Sequence, residues 1–526
     1  MASDADAVVI GAGPNGLVAA NVLADAGWDV VLCEAEDEPG GAVRSGEVVE
    51  PGFVHDRFSS FYPFATISPS LNAFDLQDHG LRWRRAPLVL GHARTDGTAA
   101  VLSPDVEETA AGLDADAPGD GDAWKRLMER WDRLEPGFAK AFFTPFPPVL
   151  GAARLASAVD PRDLVRLARE LALPVRRLAQ EHFNGKAAAD LLAGTALHAD
   201  LAPEAVGSGA FGWIMCGLGQ RHGFPVPEGG SSRLSDALAR RLAARGGSLR
   251  CGARVERVLV RGGRARGVRL AGGEELRARR AVIADVDAPT LYEHLLDPSE
   301  LPRRLLNDLS RFEWDSGTVK VDWTLDGPIP WTARELRRAG TIHVTDGIDD
   351  LTRTMGQLSM GQIPDRPFLV MGQYSVTDAT RQPAGRETAW AYAHVPQHIK
   401  GDAGGELTGR WDTRENEAFA DRMAAQLEHA APGFADLVRR RRVTGPHDLH
   451  DEDGNLVGGA LNGGSASLHQ LAIFRPVPAQ LGRPGTPISG LYLASASAHP
   501  AGGVHGAPGT IAARAALRSV RNRVGR

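Results

Sequence analysis

The sequence predicts an α/β protein of two domains, in which a nucleotide-binding sheet is interrupted twice by a second, α+β domain. Three observations carry this. The first forty-five residues read as strand, glycine turn, helix and strand; short β segments separated by Gly-Gly turns run from Gly247 to Ala278; and a glycine-rich loop after Ala494 leads into a final helix.

The opening unit comes first. An apolar strand, Ala7 to Ile10, meets GAGPNG, a helical stretch reaches Ala26, and a second strand, Asp29 to Leu32, is followed by Glu34. Each residue of the hexapeptide has a physical task. Gly11 permits the tight turn, Gly13 lets the backbone approach a pyrophosphate, and Gly16 lets helix and strand pack closely. Pro14 and Asn15 open a helix whose N-terminus faces the phosphate charge. Glu34, 23 positions after Gly11 and followed by Ala35, is placed to accept ribose hydroxyls. A carboxylate there disfavours a 2′-phosphate, so the unit suits FAD or NAD better than NADP.

The next segment, EDEPGGAVRS, separates those two. Gly40, Gly41, Ala42, Arg44 and Ser45 suggest a loop closing over the same pyrophosphate, with Arg44 offering planar donors to phosphate oxygens. From Gly11 to Ser45 the chain resembles the glutathione-reductase-2 type FAD enzymes, the group of amine oxidases, protoporphyrinogen oxidases and phytoene desaturases. Its best match there is the phytoene-dehydrogenase-related branch. The resemblance recurs at Pro51 to Phe64, Phe224 to Leu238, Asn455 to Pro478 and Gly490 to Gly509.

The resemblance implies a Rossmann-like FAD-binding domain with a β-meander, formed by 1–70, 225–299 and 480–526, and a discontinuous substrate domain formed by 71–224 and 300–479. It also implies several contacts. Val255, on the first long strand of the meander, sets backbone groups against adenine. Ser59 and Ser60 pass along the isoalloxazine ring. Ser495, Gly503, Val504 and Gly506 hold the flavin tail and ring, although Ser495 stands where relatives carry glycine. Lys320 corresponds to the lysine that holds a water near the flavin N5 atom in amine oxidases. Strand alternation in SGTVKVDWTL puts it on the face opposite Val319 and Val321.

The glycine loop AHPAGGVHGAPG and the helix after it can stabilise charge on a reduced ring, and His505 within it is a candidate proton relay, as is His499. No cysteine lies in this loop, so FAD is expected to be non-covalent. Cys33, Cys216 and Cys251 form no CxxC, which argues against a redox-active disulfide and for ordinary packing. No metal site is expected. GLGQRHG, from Gly217 to Gly223, has the wrong spacing for a second dinucleotide fingerprint, so electrons are expected to leave to oxygen, a quinone or a partner protein.

Composition narrows the classes further. With 526 residues and 43% hydrophobic content the chain can bury two domains, and its net charge of -6 does not suggest a nucleic-acid binder. No apolar run reaches the roughly 18 to 20 residues that span a bilayer. The acidic N-terminus MASDADA is unlike a signal or transit peptide, so a cytoplasmic location is expected. Residues 160–183 repeat apolar positions at helical steps with Arg162, Arg166, Arg169, Arg176 and Arg177 between them. Phe142, Phe143, Phe146 and Leu150 lie just before, among prolines. That pairing suggests an apolar tunnel mouth with peripheral membrane contact, or an internal lid. Asp114 to Asp122 reads as a solvated loop. The expected activity is hydride abstraction from a hydrophobic, polyene-like small molecule. Two rivals stay open: an amine or amino-acid oxidase, weakened by the lack of an evident aromatic cage, and a flavin-holding assembly factor with vestigial redox activity.

Overall fold

The computed structural model describes residues 4–524 and arranges them around two seven-stranded sheets. In the first, Asp4–Ile10 lies parallel between Val30–Cys33 and Glu275–Ala284. Ser248–Arg250 extends one side and Leu491–Leu493 pairs with Glu275–Ala284 on the other. Where they meet at the centre, over Ala7 to Ile10, Val30 to Cys33, Ala281 to Ala284 and Leu491 to Leu493, these strands are buried on both faces, which explains the unbroken apolar runs there. Ala7, Val9, Val30 and Leu32 pack against Leu17 and Leu23 of the Pro14–Asp25 helix, Leu238 of Ser232–Ala244, and Ala512 and Ala516 of Ala507–Val524. Val8, Ile10, Val31 and Cys33 face the meander residues Val258, Val268 and Leu276.

The meander is split differently from the sequence expectation. SLRCGARVERVLV is two strands, not one: Ser248–Arg250 joins the parallel sheet, and Val255–Val260 starts an antiparallel run through Ala265–Leu270 to Glu275–Ala284. The break comes where the chain reaches the end of the second strand, as Gly252 N–H donates to Glu36 O at 2.8 Å and Ala253 N–H to Glu34 O at 2.7 Å.

The second sheet runs in the order Val438–Thr444, Gly317–Leu325, Glu387–Val395, Leu369–Gln373, Ala339–Val344, Leu88–Ala93, Ala99–Leu102. One face packs Val319, Val321, Trp323 and Leu325 against Phe419, Met423 and Leu427 of the Thr413–Ala430 helix. On the opposite face, Val370 and Trp390 pack with the helices Asp120–Phe142, Ala187–Ala196 and Ser208–His222.

Asp114 to Asp122 is largely exposed, as expected, but is not a loop. It spans the end of Val106–Asp116 and the start of Asp120–Phe142, and Asp114, Asp116 and Asp120 act as backbone caps. Asp120, 2% exposed, accepts the Asn184 and Gly185 N–H groups at 2.9 and 2.8 Å, and Asp114 accepts Gly121 N–H at 2.8 Å. A carboxylate that satisfies two orphan donors is worth more inside the fold than in water. The basic stretch is helical as expected but breaks at Pro174 into Leu164–Ala172 and Val175–His182. Cys33 and Cys216 are buried, whereas Cys251 is exposed in a turn. Among the described residues no helix is long and apolar enough to cross a membrane.

Candidate functional site

The glycine loop between the first strand and first helix forms a cradle that admits no side chain. Gly11 has φ +86°, and a Cβ on Gly16 would strike Gly11 O. The second glycine pair closes over it: a Cβ on Gly41 would come within 3.1 Å of Gly13 Cα. Beside the cradle, Glu34 is buried, its carboxylate accepting Ala12 N–H at 2.7 Å and Glu36 N–H at 3.0 Å. Ala35 follows it half-buried, and Val255 lies two residues beyond the Ala253 N–H bond to Glu34 O. The acid, the meander and the helix N-terminus thus meet at one end of the sheet.

Arg44 is not aimed into the cradle. Its Nε donates to Gly41 O at 2.9 Å, an Nη donates to Glu452 O, and its guanidinium lies 5.1 Å from the Phe58 ring centroid. In place of the expected phosphate contact, it pins the glycine loop to the second domain. The reason is burial: at 3% exposed, its donors must be satisfied by the carbonyls around it.

From the cradle a cavity of about 640 Å³ runs towards the second sheet. Gly13, Pro14, Asn15, Gly41, Ala42, Ser59, Ser60, Lys320, Ser495, Gly503 and Val504 all line it. Ser59 donates to Ala42 O at 2.6 Å, and Ser60 shares a 2.6 Å hydrogen bond with the Tyr374 hydroxyl. Gly506, at φ +67°, lies behind the wall, where a Cβ would meet Val18 at 2.6 Å. The glycines on both sides of the cavity, with Glu34 beside the cradle, fit an adenine dinucleotide that carries a ring system into the second domain.

His505 is not placed as a proton relay. Its Nδ1 accepts the Ala507 N–H at 3.1 Å, so Nε2 carries the proton and donates to Gly502 O at 3.2 Å. Its ring packs edge-on against Phe64, Phe142 and Phe143, and burial pushes its pKa down to about 4. With both nitrogens engaged by backbone, it locks the loop as a neutral group. His499 reaches Thr144 O at 3.1 Å.

Lys320 lies on an inner strand and is 4% exposed, so it is not a solvated edge lysine. Its ammonium pairs with Asp322 on the same face, and His55 lies near both, its own pKa lowered chiefly by burial. Across the strand pair, Lys320 stands opposite Tyr392 and Asp322 opposite Trp390. Trp390 and Tyr392 stack in parallel planes, 3° apart with centroids at 6.1 Å, and both line the cavity with Phe61 and Phe211. The aromatic wall whose lack weakened the oxidase reading is therefore present. It is made by residues two apart on one strand, a signal present in ETAWAYAHV that a search of the C-terminal loop misses.

The tunnel mouth also differs from expectation. Phe142 stacks on Phe64 at 5.3 Å inside the cavity, Phe143 is buried, and Phe146 packs on His499. The exposed apolar residues that line the opening are Leu171, Val206 and Leu468, with Leu150 70% exposed on the neighbouring helix. Four of the five arginines nearby are paired with acids: Arg166 with Asp163, Arg169 and Arg177 sharing Glu181, Arg176 with Glu204. GLGQRHG lies almost wholly inside the Ser208–His222 helix, with Gly217 against Trp131, and forms no nucleotide turn.

Comparison with known proteins agrees with this geometry. The family described as FAD dependent oxidoreductase matches residues 6–303. Over its length the chain is 30% identical to pyridine nucleotide-disulfide oxidoreductase domain-containing protein 2 of Rattus norvegicus, covering 98% of this chain and 94% of that protein. It is 26% identical to phytoene desaturase (neurosporene-forming) of Rhodobacter capsulatus, covering 95% and 91% respectively. A putrescine oxidase double mutant shares the fold, with a TM-score of 0.62 and 17% identity over 99% of this chain and 100% of that one.

Proposed function

Since this chain belongs to the FAD dependent oxidoreductase family, we propose that it dehydrogenates a hydrophobic small molecule, forming a C=C bond in a polyene or isoprenoid-like chain. FAD, when bound, supplies the hydride-accepting ring. Gly13, Gly41, Gly503 and Val504 would hold it, with Glu34 and Val255 at the adenosine end and no cysteine on the described cavity wall to form a thioether. Electrons pass to oxygen or a quinone, since the chain presents no second nucleotide fingerprint.

The observation that carries the substrate class is the wall beyond the cradle. Phe64, Phe138, Phe142, Phe211, Ile214 and Met215 line it, and its cations, Lys320 and Arg475, are engaged by Asp322 and by backbone carbonyls such as Asn462 O. Such a wall excludes water and offers an apolar chain dispersion contacts along its length. Leu171, Val206 and Leu468 at the opening suit entry from a lipid surface, with peripheral membrane contact made by apolar insertion more than by charge.

One observation favours amine or amino-acid oxidation instead. The parallel Trp390–Tyr392 pair beside Lys320 can face a cationic nitrogen. Anaerobic mixing of the yellow protein with detergent-solubilised polyenes, and separately with polar amines, decides between them by bleaching of the flavin absorbance. Bleaching by a polyene supports dehydrogenation and bleaching by an amine replaces it. Reduction by no compound or extract fraction leaves the assembly-factor reading.

A further inference from the structure

Asp285 ends the Glu275–Ala284 strand and is tied to the first strand by its own N–H on Ile10 O at 2.7 Å. From there its carboxyl enters the glycine cradle. Oδ2 accepts Gly16 N–H at 2.7 Å, and a Cβ on Gly13 would fall 2.8 Å from the same oxygen. The side chain is 4% exposed yet lines the cavity, so the surface it shows is turned to the dinucleotide site. A second acid, Asp453, lines the other side, with Oδ2 at 3.4 Å from a Cβ built on Gly41. Asn455 joins the two: its backbone N–H donates to Asp453 at 3.0 Å and its amide to Asp285 O at 3.3 Å.

Three acid side chains therefore surround the cradle: Glu34, Asp285 and Asp453. The cation packed nearby, Arg44, gives its donors to Gly41 O and Glu452 O. The Asn15 amide and the Gly16 N–H are the neutral donors beside Asp285. A pyrophosphate dianion entering this space meets like charge with little compensation, and like charges at such range force the most buried acid to hold its proton. A carboxylic acid so held gains an O–H donor that a carboxylate lacks.

We propose that Asp285 acts in FAD binding as a neutral carboxylic acid, its O–H donating to a pyrophosphate oxygen, so that binding is linked to the protonation of this one side chain. The inference rests on the cofactor reading above and deepens it. Burial already pushes the Asp285 carboxyl up to about 8 in the free protein, the Gly16 N–H opposing this and the Asp453 and Glu34 charges adding to it. Burial likewise pushes Asp453 up to about 6. The bound dianion raises Asp285 further. The sign follows: FAD affinity is full at pH values below the free-protein value, where the acid already holds its proton, and falls about tenfold per pH unit above it, where binding takes up to one proton from solvent per FAD.

The test uses FAD alone as probe and no turnover. Apoprotein is titrated with FAD between about pH 6.5 and 9, following flavin fluorescence, and by calorimetry in two buffers of different ionisation enthalpy. Wild type is expected to show Kd rising steeply above about pH 8 and proton uptake approaching one per FAD. Asp285→Asn, which keeps an N–H donor and cannot titrate, is expected to bind with Kd independent of pH over the same range and without uptake, while Asp453→Asn keeps the wild-type slope above about pH 8. Buffer-independent binding enthalpy in wild type at about pH 9, or an unchanged pH slope in Asp285→Asn, overturns the proposal. If Asp285→Asn does not fold, the wild-type calorimetry decides alone. Failure of wild type to bind FAD at any pH removes the cofactor reading instead, a distinguishable result.

Discussion

The two ends of the cavity are built from different materials. The dinucleotide end is made of backbone: glycines that exclude Cβ atoms, N–H groups at a helix start, and acids that turn inward to cap them. The substrate end is made of side chains standing on one face of a sheet, with aromatic and aliphatic residues from helices laid over it. A backbone site fails sterically and all at once when a glycine is replaced. A side-chain wall is altered one group at a time, so it is the part in which specificity can drift while the cofactor site stays fixed.

The joint between them should show the largest effect. Arg381 is fully buried, with Nη1 2.8 Å from Asp56, Nε 3.0 Å from Asp378 and Nη2 donating to Pro227 O at 2.8 Å. Asp56 also accepts the Tyr374 hydroxyl at 2.6 Å and so anchors the segment carrying Ser59 and Ser60. Arg381→Met leaves two buried carboxylates without their partner and is expected to cost about 3 to 5 kcal/mol, read as a fall in the urea midpoint. A midpoint within error of wild type would mean the two ends are held together elsewhere.

Lys320 tests whether the wall contributes to chemistry. Lys320→Met should slow reoxidation of reduced enzyme by oxygen by about 100- to 1,000-fold, with FAD content unchanged, if its ammonium stabilises charge near the ring. Wild-type reoxidation in stopped flow would leave the Lys320–Asp322 pair a structural feature of the sheet.

At the backbone end, Glu34→Ala removes a charged acceptor worth about 1.5 to 3 kcal/mol and should weaken FAD binding by about one to two powers of ten. FAD retention on dilution equal to wild type would show that the carboxylate serves only Ala12 and Glu36.

The rim should be the gentlest change. Replacing Leu171, Val206 and Leu468 together by serine is expected to leave FAD content and stability within about 1 kcal/mol of wild type, as exposed positions usually do. It should also abolish flotation with lipid vesicles. Equal flotation of both proteins would move any membrane contact away from this opening.

Much of the cradle was legible because its requirements are local. Gly11, Gly13, Gly16 and Glu34 are set by φ angles, close approach and the fixed rise of one strand–helix–strand unit, all of which are spacings along the chain. Arg44 misled for a related reason: a guanidinium near a glycine loop reads as a phosphate donor until the carbonyl of Glu452, far along the chain, is seen to take it. Asp285 was missed although it ends a recognisable apolar run, because its partner Gly16 is 269 residues away. The mouth was misplaced since Phe142 and Leu150 look alike in sequence, and only packing against Phe64 and His505 puts the first inside.

The sequence by itself determined the cofactor class and the strand–helix–strand start of the first sheet, because glycine turns, strand alternation and helical periodicity are properties of near neighbours. Tertiary structure decided which side chains meet. The facing of Lys320 and Asp322 with Tyr392 and Trp390 depends on strand register between distant segments, and a slip of one residue would turn both pairs into the opposite face of the sheet. Register is fixed by the burial of Val319, Val321 and Trp323 on the other side, so the core of the second sheet selects the wall of the cavity.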